Sequence, residues 1–411
     1  QAIERSVREL LALNYFDQAS LARGPASRID EETKTVDLTY DLEEASSDQL
    51  ELSGGWGGAL GLQLQAGVTF SNFSLQNLFN RSAWRPLPTG DGQRLSLSVV
   101  TAGTRYQNVS VSFTEPWFRG RQTPAGFSVG YSNFQSGESR AGSAYGRLFY
   151  RQRLRWPDDY FQLGTDVGYR LYDLSGETIA ERYGLPEGES QELTFTETLS
   201  RNSLDSPIFP SNGSSLALTV TVAPPIGDFI QYHKWELTNA WYAPVTGRLT
   251  FNVATRFGYI GSLTGDDVQF QRYLVGGTPL DVQGSFRGVG TDLVFMRGYP
   301  TEAISPRQDG RAVGGRILNK YATELQLLAV QSAQLSFAPY LFFDAANTWS
   351  GFADYNPAQL YRSAGVGARI FLPILGLLDL NYGYQLDPFV GRDGAVVPPQ
   401  WRFQFSLGGA R

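Results

Sequence analysis

The stretch Trp401-Arg402-Phe403-Gln404-Phe405-Ser406-Leu407-Gly408 decides the fold. Trp401, Phe403, Phe405 and Leu407 point one way, and Arg402, Gln404, Ser406 and Gly408 the other. Period two with one apolar and one polar face is a β-strand. Such a strand suits a soluble sandwich, or a membrane barrel with lipid outside and water inside. The rest of the chain separates these.

The same alternation recurs upstream. Leu378, Leu380, Tyr382 and Tyr384 alternate with Asp379, Asn381, Gly383 and Gln385. Val366, Ala368 and Ile370 alternate with Gly365, Gly367 and Arg369. From residue 49 onward the pattern is strand, turn, strand, with starts near 49, 60, 94, 108, 124, 141, 160, 190, 214, 229, 248, 320, 335, 363, 377 and 400. Many of these runs reach the ~9–11 residues that a tilted strand needs to cross a bilayer. Short connections (155–159, 244–247, 373–376) alternate with longer ones (174–188, 345–362, 387–399). That alternation and an even strand count characterise outer-membrane barrels, and closure removes the exposed edges. The expected fold is therefore all-β, a 16-stranded antiparallel transmembrane barrel over residues 46–411, facing the lipid bilayer.

Composition agrees. Of 411 residues, 13% are aromatic, none is Cys, and 45 are Gly. Without cysteine there is no disulfide frame and no thiolate metal site. A net charge of −6 argues against a nucleic-acid partner. The single histidine, His233, lies in a strand-like run without a Gly-x-Ser-x-Gly elbow. It reads as a lumen or interface residue. No catalytic residue, metal site or cofactor is implied, so the chain does not read as an enzyme.

Residues 1–45 differ. Ile3, Val7, Leu10 and Leu11 mark one face of a short helix ending near Asn14. A polar stretch follows, then the strand-like Thr35-Val36-Asp37-Leu38-Thr39-Tyr40-Asp41-Leu42. One helix and one or two strands cannot bury a core alone. This segment reads as part of a small α/β module, in a mature or truncated chain.

Residues 261–319 form the longest connection and break the rule of short loops. Within it stands Phe295-Met296-Arg297-Gly298-Tyr299-Pro300. Glu324 and Asp344 have lumen parity, because Thr323, Leu325, Leu341 and Phe343 occupy the apolar face. If the loop folds inward, Arg297 is expected to pair with Asp344 first and Glu324 second, since guanidinium forks onto carboxylate and stays charged.

Several of these motifs occur in an order that resembles the BamA superfamily of outer-membrane assembly factors. Met296-Arg297-Gly298-Tyr299 resembles that family's Val-Arg-Gly-Phe/Tyr loop signature. Residues 341–349 resemble its aromatic-Asp-x-Gly-x-x-Trp strand, with Ala346 at the glycine position. Residues 322–325 resemble its Ser-Leu-Glu-Phe strand, and residues 401–408 its terminal strand. The N-terminal segment is similar to the second half of a POTRA module, which would lie in the periplasm. The resemblance implies a loop held in the lumen through Arg297, Gly298, Tyr299, Glu324 and Asp344. It also implies insertion of other barrel proteins without a cofactor. The implied partners are unfolded outer-membrane proteins, periplasmic chaperones and accessory assembly lipoproteins. The alternative is the sister branch of two-partner-secretion transporters.

Barrel closure pairs the first strand (Leu50, Leu52, Gly54, Gly55) with the last (Phe403, Phe405, Leu407, Gly408). Glycine loosens strands. Two readings of these glycines stand: a weak seam open to an incoming strand, or relief of bending at a barrel corner. The resemblance favours the first, a lateral gate. The family's terminal strand ends on an aromatic residue, whereas this sequence reads Gly-Gly-Ala-Arg. The insertion at residues 77–93, with Trp84, Pro86 and Pro88, docks a partner or lies at the lipid interface.

Overall fold

A computed structural model of the chain describes residues 25–30, 35–41, 48–57, 61–84, 87–176, 184–265, 267–277, 291–308, 310–332, 334–372, 376–391 and 393–407. The expected helix at residues 3–14 and Gly408 lie outside these. A small antiparallel hairpin, Ala26–Asp30 with Thr35–Thr39, precedes the barrel. The expected strand at residue 35 thus has a partner in the stretch read as merely polar.

Sixteen strands build the barrel. They are β1 Gln49–Gly57, β2 Gly61–Phe73, β3 Gln93–Thr101, β4 Tyr106–Glu115, β5 Ala125–Ser136 and β6 Ser139–Arg153. Then come β7 Phe161–Ser175, β8 Gly188–Asn202, β9 Gly213–Ala223, β10 Tyr232–Thr246 and β11 Leu249–Gly261. The last are β12 Ile317–Leu327, β13 Ser336–Trp349, β14 Tyr361–Leu372, β15 Gly376–Gln385 and β16 Trp401–Leu407. Each begins within three residues of the start expected from periodicity. Consecutive strands pair antiparallel throughout. Val330–Gln331 pairs with Ser336 and Phe337 and extends the β12–β13 hairpin. The strand order returns on itself, β16 lying next to β1.

One turn is shorter than its sequence suggests. Pro244 lies within β10, beside a register shift between Pro244 and Thr246. A bulge tolerates a residue that cannot donate to the ladder. Likewise β13 runs to Trp349, so the loop read as 345–362 is residues 350–360.

Parity sorts the two faces. Leu97, Val99, Val129, Leu148, Trp235, Leu341, Phe343, Trp401 and Phe403 are exposed on the outside. Lys234, Asp344, Arg369, Gln404 and Ser406 are buried inside. Exposed apolar residues over a whole sheet face are stable only against lipid. His233 shares the outward parity of Trp235, whose indole N–H donates to its Nδ1 at 3.1 Å.

We call the end at which β1 begins proximal and the other distal. The distal lumen is filled by the described parts of the β11–β12 loop, residues 262–265, 267–277, 291–308 and 310–316. The loop satisfies its own backbone through a parallel pair, Arg272–Val275 with Thr291–Val294, and through bridges Val275 to Ile304 and Gly277 to Met296. Two dry clusters wedge it in place. Val268 and Phe270 pack on Tyr172, Leu174, Tyr232 and Ile260. Val275, Val294, Met296, Tyr299 and Ile304 pack with Leu318, Ala346 and Phe389.

Candidate functional site

The site begins with glycines on the lumen face of β14 and β15. A Cβ on Gly367 would lie 2.2 Å from the Tyr340 ring, and one on Gly365 2.9 Å from the Phe342 ring. Leaving those positions bare lets both rings of β13 lie down against the wall. They present their faces to the lumen, and two guanidinium groups use them. Arg297 stands 4.0 Å over Phe342, and Arg369 stands 4.2 Å over Tyr340. A cation over a desolvated ring is held by the ring's quadrupole.

The carboxylates complete the arrangement. Arg297 donates Nε to Asp344 Oδ2 at 2.8 Å and Nη2 to Asp344 Oδ1 at 2.5 Å. Its Nη1 donates to Glu324 Oε1 at 2.6 Å. Arg369 donates to both oxygens of Glu324 at 2.8 Å and to Asp379 Oδ2 at 3.0 Å. Tyr340 Oη donates to Asp379 Oδ1 at 2.5 Å. Burial opposes the charge on Arg297, but Asp344 and Glu324 outweigh it and hold the guanidinium firmly protonated. Two arginines face three acids, and the charge is balanced by Lys320. This lysine lines the same cavity of about 710 Å³ with no carboxylate in ion-pair range among the described residues.

The next two loop residues are fixed through backbone. Gly298 has φ +81, a conformation that L side chains rarely adopt. Its N–H donates to Gln404 Oε1 at 2.7 Å, and Gln404 Nε2 donates to Tyr299 O at 3.0 Å. The last strand therefore touches the loop through one amide side chain. Ser363 Oγ donates to Arg297 O at 2.7 Å. Tyr299, fully buried, donates its hydroxyl to the carbonyls of Arg362 and Asp387, each at 3.0 Å.

A second ionic cluster holds the loop on the adjoining strands β10 and β11. Asp292 accepts from Lys234 Nζ at 2.9 Å and from Arg256 Nη2 at 2.7 Å, and Arg256 also bonds Glu236 at 2.6 Å. Burial alone would raise the Asp292 carboxyl. Lys234 and Arg256 reverse that and hold it well below the usual carboxylate range. Sequence reading missed this cluster, together with Arg369, Asp379, Tyr340 and Gln404. The alternation of the strand residues was visible, but their height in the barrel was not, and Asp292 lies on the loop, where no parity applies.

The structure brings Arg297, Gly298, Tyr299, Glu324 and Asp344 together. At the seam it places Leu50, Leu52, Gly54 and Gly55 on β1, paired with Val68, Ala66, Leu64 and Gln63 of β2. Phe403, Phe405 and Leu407 pair with Tyr382, Leu380 and Leu378 of β15. The barrel closes with β1 hydrogen-bonded beside β16. These two strands have 9 and 7 residues, against 15 for β6, β7, β8 and β10. At ~3.4 Å per residue and ~45° tilt, 7 residues rise ~17 Å and 15 rise ~36 Å. The wall is low at the seam and tall opposite it.

The Omp85 superfamily domain matches residues 88–410. This chain belongs to the Omp85 superfamily. As an Omp85 protein it is an outer-membrane β-barrel. Outer membrane protein assembly factor BamA of Neisseria meningitidis serogroup B is 24% identical over 470 residues, covering 99% of this chain and 52% of that protein. The chain thus spans about half the length of that curated relative. Among solved structures, BamA from Haemophilus ducreyi lacking POTRA domains 1–3 matches with TM-score 0.66 and 17% identity, over 99% of this chain and 78% of that one. CdiB from Escherichia coli matches with TM-score 0.60 and 12% identity, over 96% of this chain and 68% of that one. The Omp85 fold is shared by both.

Proposed function

We propose that this chain is the barrel of an assembly factor that folds and inserts other outer-membrane β-barrels through the seam between β16 and β1. The observation that carries the proposal is the seam itself: the wall is low where the seven-residue β16 closes onto the nine-residue β1. Once so short a pairing opens, a strand arriving in extended form can add its backbone donors and acceptors to the freed edge. The low wall beside it would thin the bilayer, because hydrophobic mismatch is relieved by local thinning. The cluster around Arg297 keeps the loop seated, so that the lumen stays plugged while the wall opens.

On this reading the proximal end faces the periplasm, and residues 1–45 belong to a POTRA module. Unfolded outer-membrane proteins would be the substrates, delivered by chaperones and assisted by accessory lipoproteins. The relationship to BamA at the level of sequence supports this reading over secretion. The test is reconstitution of the full-length protein in liposomes. Folding of an urea-denatured barrel substrate, followed by its gel mobility, is expected to accelerate over empty liposomes. No acceleration, together with passage of a secreted polypeptide into the vesicles, would favour the transporter reading, for which the fold shared with CdiB speaks.

A further inference from the structure

The proximal turn between β2 and β3, residues 74–92, is folded the wrong way round for water. Its polar groups are spent internally. Ser74 Oγ donates to Asp91 Oδ2 at 2.5 Å, Leu75 N to Gln93 Oε1 at 2.7 Å, Asn77 N to Ser74 Oγ at 3.0 Å, and Asn77 Nδ2 to Thr89 O at 2.9 Å. Its apolar side chains face outward: Phe79 is 97% exposed, and Leu75, Leu78 and Trp84 are exposed beside it. The neighbouring proximal turns do the same with Trp117 and Phe118, and with Trp156 and Tyr160.

This surface continues the lipid face. Phe127 lies on the outer wall, stacks on Phe113 at 5.6 Å, and Phe113 meets Phe73 edge-on at 6.2 Å, directly beneath the turn. Phe118 similarly meets Tyr150 of the wall at 6.4 Å. The surface is also cationic. The three turns carry Arg81, Arg85, Arg119, Arg121 and Arg155 against Asp91, Asp158 and Asp159, in a chain of net charge −6. Asp91 is engaged by Ser74, and Asp158 accepts from Arg201 at 2.9 Å. Glu115 at the foot of β4 accepts from Gln93 and from the Trp117 amide. Arg81, Arg119, Arg121 and Arg155 are exposed, with no carboxylate in ion-pair range among the described residues. The other half of the rim differs. Its turns at 247–248 and 328–335 carry only Arg248, and the turn at 203–212 directs Pro207 and Pro210 into the lumen cavity.

We infer that the β2–β7 sector of the proximal rim is a membrane-interface anchor for anionic phospholipid. Phe79, Leu78, Leu75 and Trp84 enter the headgroup–acyl boundary, and the four arginines lie over phosphate groups. Aromatic rings sit at that depth, and basic residues near it attract anionic headgroups. The consequence is mechanical: this sector of the barrel is held at fixed depth. The inference rests on the barrel spanning a bilayer and not on the assembly reading.

The test uses the cysteine-free chain in vesicles of phosphatidylethanolamine with phosphatidylglycerol, and of phosphatidylcholine alone. A Phe79→Cys variant carries an environment-sensitive fluorophore, and a Trp156→Cys variant serves if the first does not fold. The label is expected to be shielded from aqueous iodide and quenched by lipids spin-labelled near the headgroup. Phosphatidylglycerol is expected to co-purify over phosphatidylcholine, and to fall by about fivefold per arginine when Arg81, Arg119, Arg121 and Arg155 are changed to Gln. A label open to iodide in both vesicles would overturn the inference. So would a label shielded only after a periplasmic protein is added, which would make the sector a protein-docking surface. Equal lipid retention by the quadruple variant would likewise overturn it. Depth and retention are read without any insertion activity, so this test and that of the assembly function fail separately.

Discussion

Glu324 is shared between two arginines that arrive from opposite directions. Arg297 reaches it from the loop at 2.6 Å, and Arg369 reaches it from β14 at 2.8 Å. The loop is therefore tied to an ionic lattice that already belongs to the wall. Asp344 binds Arg297 through both oxygens and is almost completely buried.

Removing the loop's own cation should be costly. Arg297→Ala strands the buried Asp344 carboxylate and removes one of the two arginines on Glu324, a loss of roughly 3–5 kcal/mol. The expected result is a lower unfolding temperature by heat-modified gel mobility and faster proteolysis within residues 262–316. Arg297→Lys restores charge but not the fork and should fall between. Wild-type proteolysis and heat stability in Arg297→Ala would show that the lattice does not hold the loop.

The two acids of the lattice should differ. Glu324→Gln weakens bonds to both arginines, whereas Asp379→Asn weakens bonds to Arg369 and Tyr340 only. Loop proteolysis should rise in the first and stay near wild type in the second. The comparison of cleavage rates checks the sharing directly.

Two glycines should resist substitution for different reasons. Gly298→Ala places a side chain at φ +81 with its Cβ 3.1 Å from that of Ser363, costing about 1–2 kcal/mol from backbone conformation. Gly367→Ala places Cβ 2.2 Å from the Tyr340 ring and should displace that ring, costing about 1–3 kcal/mol. Urea midpoints give the magnitudes. In Gly367→Ala, moving Tyr340 to Ala as well should recover part of the loss.

The distal loop 386–400 should loosen in acid. Hydrogen bonds from Arg362 hold the Asp387 carboxyl below its ordinary value. A depressed folded pKa contributes stability that is present above the unfolded value of about 3.9 and lost as pH falls through the folded one. The Arg362 side chain is half exposed, so the effect is at most about 1 kcal/mol. A spin label at Val396→Cys should gain mobility below about pH 4, and Asp387→Asn should be mobile at every pH.

Much of the barrel was legible because the side-chain period of a strand is two and the turns are marked by Pro and Gly. Trp401 and Phe403 outward with Gln404 inward follows from alternation alone. What alternation does not carry is register between strands distant in sequence. Arg369 meets Glu324 across 45 residues, and Asp292 meets Lys234 across 58. Parity put Glu324 and Arg369 on the polar face, but only the tilt of the wall sets their heights, and Asp292 lies on the loop, where no parity applies. The resemblance at Arg297 supplied what parity could not. The glycines at 365 and 367 stand in the sequence only as members of an alternation; their use is visible only once Tyr340 and Phe342 lie across them.

The central claim is that the β16–β1 seam opens to admit a strand. The direct measurement places single cysteine pairs between residues 50–56 and 401–407, in several registers, in this cysteine-free chain. Insertion of an unfolded barrel substrate is then followed in liposomes before and after oxidation. The account predicts that insertion stops when the disulfide forms and returns with reductant, while Arg297 keeps the loop protected in both states. Undiminished insertion with the seam fully cross-linked would contradict it.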